Sequence, residues 1–196
     1  ISPLGNIADI KLGVPVAVNI ENGIAAMALA QIAGVDAEEI REAMATFSGV
    51  DRRFDFRVKN ENMVYLSDYA HHPAEIKQSI ISSKQLYEGK RIKAIFQPHL
   101  FTRTRDFYED FAASLSLLDD VVLLDIYPAR EAPIPGITSQ IIYDKLTCKH
   151  KVLCHKEDIM SIVSKQDFDV LVTLGAGDIE DYADRIANVL KETEKA

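Results

Sequence analysis

The sequence predicts an α/β protein with a Rossmann-like, mostly parallel sheet that helices cover on both faces. Two observations predict this fold. From residue 58 onward, short apolar runs alternate with segments whose apolar residues recur at helical spacing. The apolar runs also carry few charged residues, which is typical of strands buried on both faces. The residues before 58 show a different pattern, two successive helical segments with no alternating strands, and are predicted to belong to a separate unit.

Two helices are predicted in the first unit, residues 1–57. Asn19 opens the first helix, which ends at Gly34, because the apolar residues between them recur at a spacing near 3.6. Asp36 begins the second helix as its N-cap residue. Glu39 follows three positions later, which is the pattern of a capping box.

The second unit, residues 58–196, is predicted to begin with a hairpin around residues 59–62. Strands and helices then alternate, since apolar β-branched runs indicate strands and helical spacing indicates helices. The predicted elements are, in order, a helix from residue 73, a strand 92–96, a helix 106–117, a strand 121–126, a helix 139–146, a strand 151–154, a helix 156–163, a strand 169–174 and a helix from 179.

The composition restricts the functional classes. Hydrophobic residues make up 47% of the 196 residues, which is enough for a buried core. The formal net charge of −8 argues against general nucleic-acid binding, which needs a basic surface. No apolar run approaches the length of a membrane span, so we expect no membrane association. Cys148 and Cys154 form neither a disulfide framework nor a zinc pattern, which favours a cytoplasmic location and no metal ligands.

Polar residues cluster in segment 67–75, where the first parallel strand ends. Ligands bind at the carboxyl ends of strands in open α/β sheets, so Asp68 could accept hydrogen bonds from sugar hydroxyls and His71 could contact an anionic substrate. His71 and His72 are not expected to share a metal ion, because adjacent side chains of an extended chain face opposite sides. The alternative is local: Asp68 is a turn residue, and His72-Pro73 opens a helix.

A second polar segment, residues 96–105, follows the next strand. His99, Arg103 and Arg105 are predicted to lie in a loop that leads into a helix. A guanidinium can bind a carboxylate or a phosphate through two parallel hydrogen bonds, and a helix N-terminus adds positive potential. The alternative for Arg105 is an ordinary helical ion pair with Glu109.

Three further features are less specific. Asn19 and Asn22 could cap the first helix, and Arg52-Arg53 could be solvated. Segment 175–178 follows a strand and opens a helix, but it lacks the third glycine of a G-x-G-x-x-G motif. We therefore interpret it as a tight strand-to-helix turn and not as a dinucleotide site.

Taken together, five segments resemble the Mur ligase family of peptidoglycan synthesis, and within it the members that attach L-alanine to UDP-N-acetylmuramate. Their order and spacing hold from about Gly13 to Asp178. The family patterns concerned are H-N-x-x-N-A-x-A-A, G-x-x-R-R-F-D, D-Y-[GA]-H-H-P, F-Q-P-H-x-[FY]-T-R-T-R and Y-P-A-x-E-x-P-I-x-G. The similar segments of this sequence are residues 19–26, 49–55, 68–73, 96–105 and 125–136.

The resemblance implies that ATP phosphorylates the muramoyl carboxylate and that the amine of L-alanine then displaces phosphate. The residues implied to contact ATP are Asn19, Asn22, Arg53 and Asp68. The residues implied to act in catalysis, by holding the alanine and the developing tetrahedral centre, are His71, His99 and Arg103. The Mg²⁺ ligands, the phosphate loop and the nucleotide-sugar domain are expected in N-terminal and central domains outside this chain, so the chain alone is predicted to be inactive.

Under this resemblance, residues 1–57 end the central ATP-binding domain and residues 58–196 form the C-terminal Rossmann-like, amino-acid-binding domain. The lack of an initiator methionine at Ile1 fits a piece of a longer protein. Val18 replaces the family histidine, and Leu100 stands where relatives often carry arginine. Two alternatives stay open: a recycling ligase that attaches a whole tripeptide, and a non-catalytic nucleotide-binding module.

Overall fold

The computed structural model describes residues 5–192, apart from the side chain of Val18. The chain start and the end of the charged tail therefore lie outside the described residues. The chain divides into two compact units, Ile1–Val50 and Asp51–Ala196. The boundary that the sequence suggests, between residues 57 and 58, falls inside the first strand of the second unit. Each unit is described by itself.

In its described part, the first unit holds helices α1 (Ala17–Ile32) and α2 (Ala37–Thr46). The start predicted for α1 is two residues late, because Val16 is the N-cap residue and Asn19 already lies in the first turn. The amide of Asn19 donates to the carbonyl oxygen of Val14 at 3.3 Å. Asn19 is therefore not the cap of this helix.

The capping box predicted for α2 is confirmed. The carboxylate of Asp36 accepts hydrogen bonds from the backbone N–H groups of Glu38 and Glu39 at 2.8 and 3.0 Å. The carboxylate of Glu39 accepts in return from the backbone N–H of Asp36 at 3.4 Å. Two N–H groups that an α-helix leaves unpaired at its start thus find acceptors.

Within residues 51–192 the second unit contains one six-stranded sheet. Its strands are β1 (Asp55–Lys59), β2 (Val64–Asp68), β3 (Ile92–Phe96), β4 (Asp120–Leu124), β5 (His150–Cys154) and β6 (Val170–Leu174). The spatial order is β1-β2-β6-β3-β4-β5. β1 runs antiparallel to β2, and the neighbouring pairs from β2 to β5 are parallel. The predicted hairpin and the mostly parallel sheet are confirmed.

The helices of the second unit are α3 (Pro73–Leu86), α4 (Phe101–Leu115), α5 (Gln140–Tyr143), α6 (Ile159–Val163) and α7 (Ala183–Glu192). Short 3-10 turns precede α6 and α7. α5 is a single turn, shorter than predicted. α4 begins five residues before the predicted start, so the prediction that Arg103 and Arg105 precede the helix is wrong. No helix found in residues 5–192 combines the length and apolarity that a membrane crossing requires.

Helices cover both faces of the sheet. α3 and α4 pack together on one face, where Phe111 of α4 contacts Phe96 of β3 with ring centroids 5.3 Å apart. Successive residues of a strand point to opposite faces of the sheet, so Ile95, next to Phe96, lies on the other face. There Ile95 and Tyr65 belong to the core that the sheet forms with α6 and α7, and Ile186 is part of the same core. This layering confirms the predicted α/β fold class.

The amino end of the sheet holds a network of ion pairs. The ammonium group of Lys93, only 5% exposed, contacts Asp167 and lies 3.5 Å from Asp120. The guanidinium of Arg91 lies 3.0 Å from the carboxylate of Asp120 and 3.5 Å from that of Asp167. Buried charges are tolerated when they are paired, and these four groups pair with one another. This edge of the sheet therefore has a structural role.

Candidate functional site

The carboxyl ends of β2, β6 and β3 lie at the same level of the sheet. Asp68 of β2 and Phe96 of β3 both pair in register with Leu174 of β6. Backbone hydrogen bonds extend this alignment beyond the strands, since Gly175 N–H donates to the carbonyl oxygen of Asp68 at 3.2 Å. The polar segments that follow these strands are therefore neighbours at one edge.

Asp68 is a half-buried residue at the end of β2. Its carboxylate accepts a hydrogen bond from the backbone N–H of Ala70 at 3.2 Å, as the turn alternative requires. Burial raises the pKa of Asp68, while the hydroxyl of Ser79, the N–H groups of Ala70 and Phe54 and the charge of Arg53 oppose that shift. Asp68 therefore has a structural role in this turn, and its contact with a ligand stays a prediction.

Tyr69 contacts two arginines, an arrangement that the sequence did not indicate. The guanidinium carbons of Arg52 and Arg53 lie 4.6 and 5.2 Å from the centroid of the Tyr69 ring. Arg52 Nε also lies 3.5 Å from a carboxylate oxygen of Glu180, so the solvated alternative is wrong for Arg52. Arg53 is exposed, and its charge acts on Asp68. The structure thus brings two residues predicted to bind ATP, Arg53 and Asp68, close together.

His71, His99 and Arg103 also come together. The two imidazole centroids are 6.1 Å apart. His71 Nδ1 lies 2.9 Å from the carbonyl oxygen of Tyr69, which can only accept, so Nδ1 carries a proton and Nε2 of the neutral ring is an acceptor. His99 Nδ1 lies 3.3 Å from an Arg103 nitrogen, which can only donate, so neutral His99 carries its proton on Nε2. One imidazole therefore presents an acceptor and the other a donor.

His99 is held in its neutral form. Burial lowers its pKa, the positive charge of Arg103 lowers it further, and a proton taken up by His71 acts in the same direction, against an opposing effect of Glu131. The ring of Tyr127 stacks on the imidazole with centroids 5.7 Å apart. An imidazole in these surroundings can donate or accept a hydrogen bond at pH 7 without carrying a charge.

Arg103 lies in the first turn of α4. Leu100, the N-cap residue, has the uncommon backbone angle φ of 73°. The carbonyl oxygen of Leu100 accepts hydrogen bonds from the N–H and the hydroxyl of Thr104, at 3.1 and 2.8 Å. The N–H of Leu100 donates to the carbonyl oxygen of Tyr127 at 2.9 Å. The carboxylate of Glu131 accepts from both the N–H and the hydroxyl of Thr102, which lowers the pKa of Glu131.

Arg105 does not join this group. Its guanidinium pairs with Asp106 at 2.8 Å on the exposed side of α4. The alternative of an ordinary ion pair therefore holds for Arg105, but with Asp106 in place of Glu109, which contacts Lys145 at 2.9 Å. Both are surface ion pairs of the kind that contributes little to stability.

The turn at residues 175–178 packs closely against Gln97 and Tyr127. Gln97 is buried at the end of β3, and its side chain donates to Asp178 at 2.6 Å and accepts from the backbone N–H of Ile179 at 2.9 Å. A Cβ atom on Gly177 would lie 2.4 Å from Gln97 Oε1 and 2.7 Å from Tyr127 Cβ. Glycine is therefore required here by close packing, in agreement with the tight turn that the sequence predicts.

A cavity of about 180 Å³ lies next to this turn. Its lining consists of Gln97, Asp125, Ile126, Tyr127, Pro128, Lys156, Glu157 and Asp178. Three of its charged groups are paired, since Lys156 contacts Asp178 and Asp125 contacts His155. Among residues 5–192, no group of three or more His, Cys, Asp or Glu side chains could hold a metal ion.

Asn19 and Asn22, the other residues predicted to contact ATP, belong to the first unit. Asn19 is half-buried and Asn22 is exposed, both on α1. The residues that the sequence did not single out are Tyr69, Gln97, Tyr127 and Glu131. Glu131 and Tyr127 fall within segment 125–136, which carries part of the family resemblance, but a resemblance alone gives no contact for either side chain.

Residues 52–177, more than half of the chain, match the family model described as "Mur ligase, glutamate ligase domain". The chain belongs to the Mur ligase family. The resemblance stated from the five segments is thereby confirmed.

Similar members of the Mur ligase family carry a more specific name. The UDP-N-acetylmuramate–L-alanine ligase of Phocaeicola vulgatus is 63% identical over 193 residues, which cover 98% of this chain and 42% of the relative. The enzyme of that name from Parabacteroides distasonis is 54% identical over 190 residues, covering 97% and 41%. The chain thus spans about two fifths of the length of these relatives.

Solved structures of similar ligases superpose on this chain. The UDP-N-acetylmuramate–alanine ligase of Thermotoga maritima superposes with a TM-score of 0.78 at 29% identity, over 94% of this chain and 40% of that one. A murein peptide ligase of Psychrobacter arcticus gives a TM-score of 0.62 at 20% identity, over 92% and 38%. The second similarity shows the Mur ligase fold alone.

The surroundings of two histidines predict opposite pKa shifts in this Mur ligase chain. His99 should titrate below the ordinary histidine value of about 6.5, for the reasons given above. His155 should titrate above it, because its hydrogen bond to Asp125 and the charge of that carboxylate raise its pKa. NMR titration of the imidazole C–H signals measures both values, with His99→Gln and His155→Gln assigning the signals.

The same shifts fix the sign of two contributions to stability. Since the folded pKa of His99 lies below its unfolded value, its contribution is present above the unfolded pKa and is lost as pH falls through the folded pKa. The raised pKa of His155 gives a contribution present below the unfolded pKa and lost as pH rises through the folded value. A His99 signal that titrates above about 6.5 would contradict the described environment.

Proposed function

We propose that this chain is part of a cytoplasmic, ATP-dependent ligase that joins L-alanine to UDP-N-acetylmuramate during peptidoglycan precursor synthesis. The observation that carries the proposal is the grouping of Arg103, His99 and His71 at the carboxyl edge of the sheet of a Mur ligase chain. The shared name of the relatives described above supports the choice of L-alanine and UDP-N-acetylmuramate.

In this proposal the two units belong to different domains of a longer enzyme. The first unit, residues 1–50, is proposed to end the central ATP-binding domain, and the second unit, residues 51–196, is proposed to form the C-terminal amino-acid-binding domain. The remaining parts of those relatives, about three fifths of their length, leave room for an N-terminal domain and the rest of the central domain.

Arg103 is proposed to bind the carboxylate of L-alanine. Its guanidinium can form two parallel hydrogen bonds with a carboxylate, and its contact with His99 orients it without cancelling its charge. A carboxylate held in this way leaves the amine of the amino acid free to approach the reacting centre. Fixing both reactants in a suitable geometry is a large part of what a ligase must supply.

The two imidazoles are proposed to serve the proton and charge transfers of the reaction. Nε2 of His71 is an acceptor, because the carbonyl oxygen of Tyr69 fixes the proton on Nδ1. It can therefore take a proton from the ammonium group of L-alanine, and the neutral amine that results attacks the acyl phosphate and displaces phosphate. Nε2 of neutral His99 is a donor and can stabilise the oxyanion of a tetrahedral centre. The stacking on Tyr127 holds that donor in place.

The nucleotide is proposed to meet Asp68 and Arg53. When bound, ATP supplies the phosphoryl group that activates the muramoyl carboxylate. The half-buried carboxylate of Asp68 suits ribose hydroxyls, and the exposed guanidinium of Arg53 suits phosphate. The contacts of Asn19 and Asn22 with ATP, which the resemblance implies, stay predictions. The ligands of Mg²⁺ are proposed to lie in the rest of the enzyme, since residues 5–192 form no metal-binding group of the kind described above.

Replacing Arg103 tests the function and the assignment together, with phosphate release by the full-length enzyme as the assay. Wild type should require both UDP-N-acetylmuramate and L-alanine. Arg103→Ala should raise the KM for L-alanine roughly 30- to several-thousand-fold, since losing one partner of a desolvated charge pair costs about 2–5 kcal/mol, while the KM for ATP stays unchanged. Arg105→Ala is the matched control, because Arg105 pairs with Asp106 on the exposed side of the same helix.

Equal effects of Arg103→Ala on both KM values would mean that Arg103 is structural. Two results would reject the proposed function itself. Turnover that requires the tripeptide in place of L-alanine would indicate the recycling ligase, and nucleotide binding without any turnover would indicate a non-catalytic module.

Replacing Asp68 separates the ligand role from the turn role. Asp68→Asn keeps the shape and one acceptor oxygen but removes the charge. In the full-length enzyme we expect weaker ATP binding, because each charge-assisted hydrogen bond contributes about 1.5–3 kcal/mol, and little change in the KM for L-alanine. Calorimetry and thermal unfolding of one variant measure affinity and stability. A lower melting temperature with unchanged ATP affinity would leave Asp68 with its turn role only.

A further inference from the structure

Helix α4 begins without the usual side-chain cap. An N-cap residue normally accepts a hydrogen bond from the backbone N–H of the second or third helical residue, and Ser, Thr, Asp and Asn supply that acceptor. Leu100 occupies the N-cap position here and offers none. The N–H group of Thr102, the second residue of the helix, needs an acceptor from elsewhere.

Glu131, 29 residues further along the chain, supplies it. Its carboxylate accepts the N–H of Thr102 at 3.0 Å and also the hydroxyl of Thr102. A carboxylate at a helix N-terminus is favoured by the helix dipole, and the low pKa of Glu131 agrees with this stabilisation of its charged form. Glu131 therefore takes the place of the missing cap from a different loop.

The loop that carries Glu131 is itself fixed to the start of α4. The N–H of Tyr127 donates to the carbonyl oxygen of Pro98 at 2.8 Å, and the N–H of Leu100 donates to the carbonyl oxygen of Tyr127 at 2.9 Å. The N–H of Glu131 donates to Pro128 at 2.9 Å, which closes a turn that presents the carboxylate. The acceptor is thus held by backbone hydrogen bonds of its own N–H and of the loop that precedes it.

The two hydrogen bonds between Glu131 and Thr102, called the clasp below, lie directly beside the proposed alanine site. Thr102 is the chain neighbour of Arg103, and Arg103 in turn contacts His99, so a rotation of the first turn of α4 moves the guanidinium and its partner together. We propose that Glu131 is a positioning residue, which holds the first turn of α4 in the orientation that directs Arg103 at the carboxylate of the bound amino acid. This inference rests on the proposed function.

Steady-state kinetics of the full-length ligase test it with the variants Glu131→Gln, Thr102→Val and the double variant. Each single variant should raise the KM for L-alanine roughly tenfold, the effect of one charge-assisted hydrogen bond, and leave the KM for ATP unchanged. Thr102→Val removes only the hydroxyl bond, which Glu131→Gln also weakens, so the double variant should be little worse than Glu131→Gln alone. Glu109→Gln is the control, since Glu109 lies on the same helix as Thr102 and forms an exposed ion pair with Lys145, outside that helix.

Two kinetic results would overturn the inference. Glu131→Gln with an unchanged KM for L-alanine would remove the positioning role. Equal increases of the KM for L-alanine and the KM for ATP in Glu131→Gln would mean that Glu131 supports the fold in general and does not position Arg103. Failure of the proposed function would be visible earlier, as a wild-type enzyme without alanine-dependent turnover.

A second measurement does not depend on activity. Hydrogen exchange at the Thr102 amide of the 196-residue chain should be roughly tenfold faster in Glu131→Ala than in wild type, because the amide loses its acceptor. Glu109→Ala should leave that exchange rate unchanged. Equal exchange in wild type and Glu131→Ala would show that the clasp does not order this turn, and would overturn the inference.

Discussion

The parallel register of the sheet is the constraint on which the rest of the site depends. β6 lies between β2 and β3 and pairs with both, so the last residues of these strands, Asp68 and Phe96, meet the same residue, Leu174. The backbone hydrogen bonds between Leu100, Tyr127 and Pro98 then continue this alignment toward β4. Segments that are far apart in sequence are thereby brought to one edge before any side-chain contact is considered. A shift of one residue in any strand would turn its side chains to the opposite face.

The cationic side chains at the two ends of the sheet have different partners, and this difference explains why one end is a candidate site. At the amino end, Lys93 is paired with two carboxylates and its charge is balanced inside the protein. At the carboxyl end, Arg103 contacts the imidazole of His99, whose pKa is lowered by burial and by Arg103 itself. A neutral partner can orient a guanidinium without neutralising it. Arg103 therefore keeps a charge that an anionic ligand can use.

The sequence predicted what depends on local patterns and on the parallel direction of the strands. Asp36 was recognised as a cap because its partner stands three residues away, and the proximity of His71 to His99 followed from parallel strands ending at one edge. The start of α4 was predicted too late because its cap comes from Glu131, and no local pattern reports an acceptor 29 residues away. The stacking of arginines on Tyr69 was missed for the same reason, since it depends on how two loops pack.

The most direct test of the account is a crystal structure of the full-length ligase with L-alanine, UDP-N-acetylmuramate and a non-hydrolysable ATP analogue. The account predicts that the carboxylate of L-alanine lies within hydrogen-bond distance, about 2.7–3.2 Å, of the Arg103 guanidinium, with His71 and His99 beside the reacting atoms. An alanine carboxylate bound by other residues, with Arg103 turned away from it, would contradict the account.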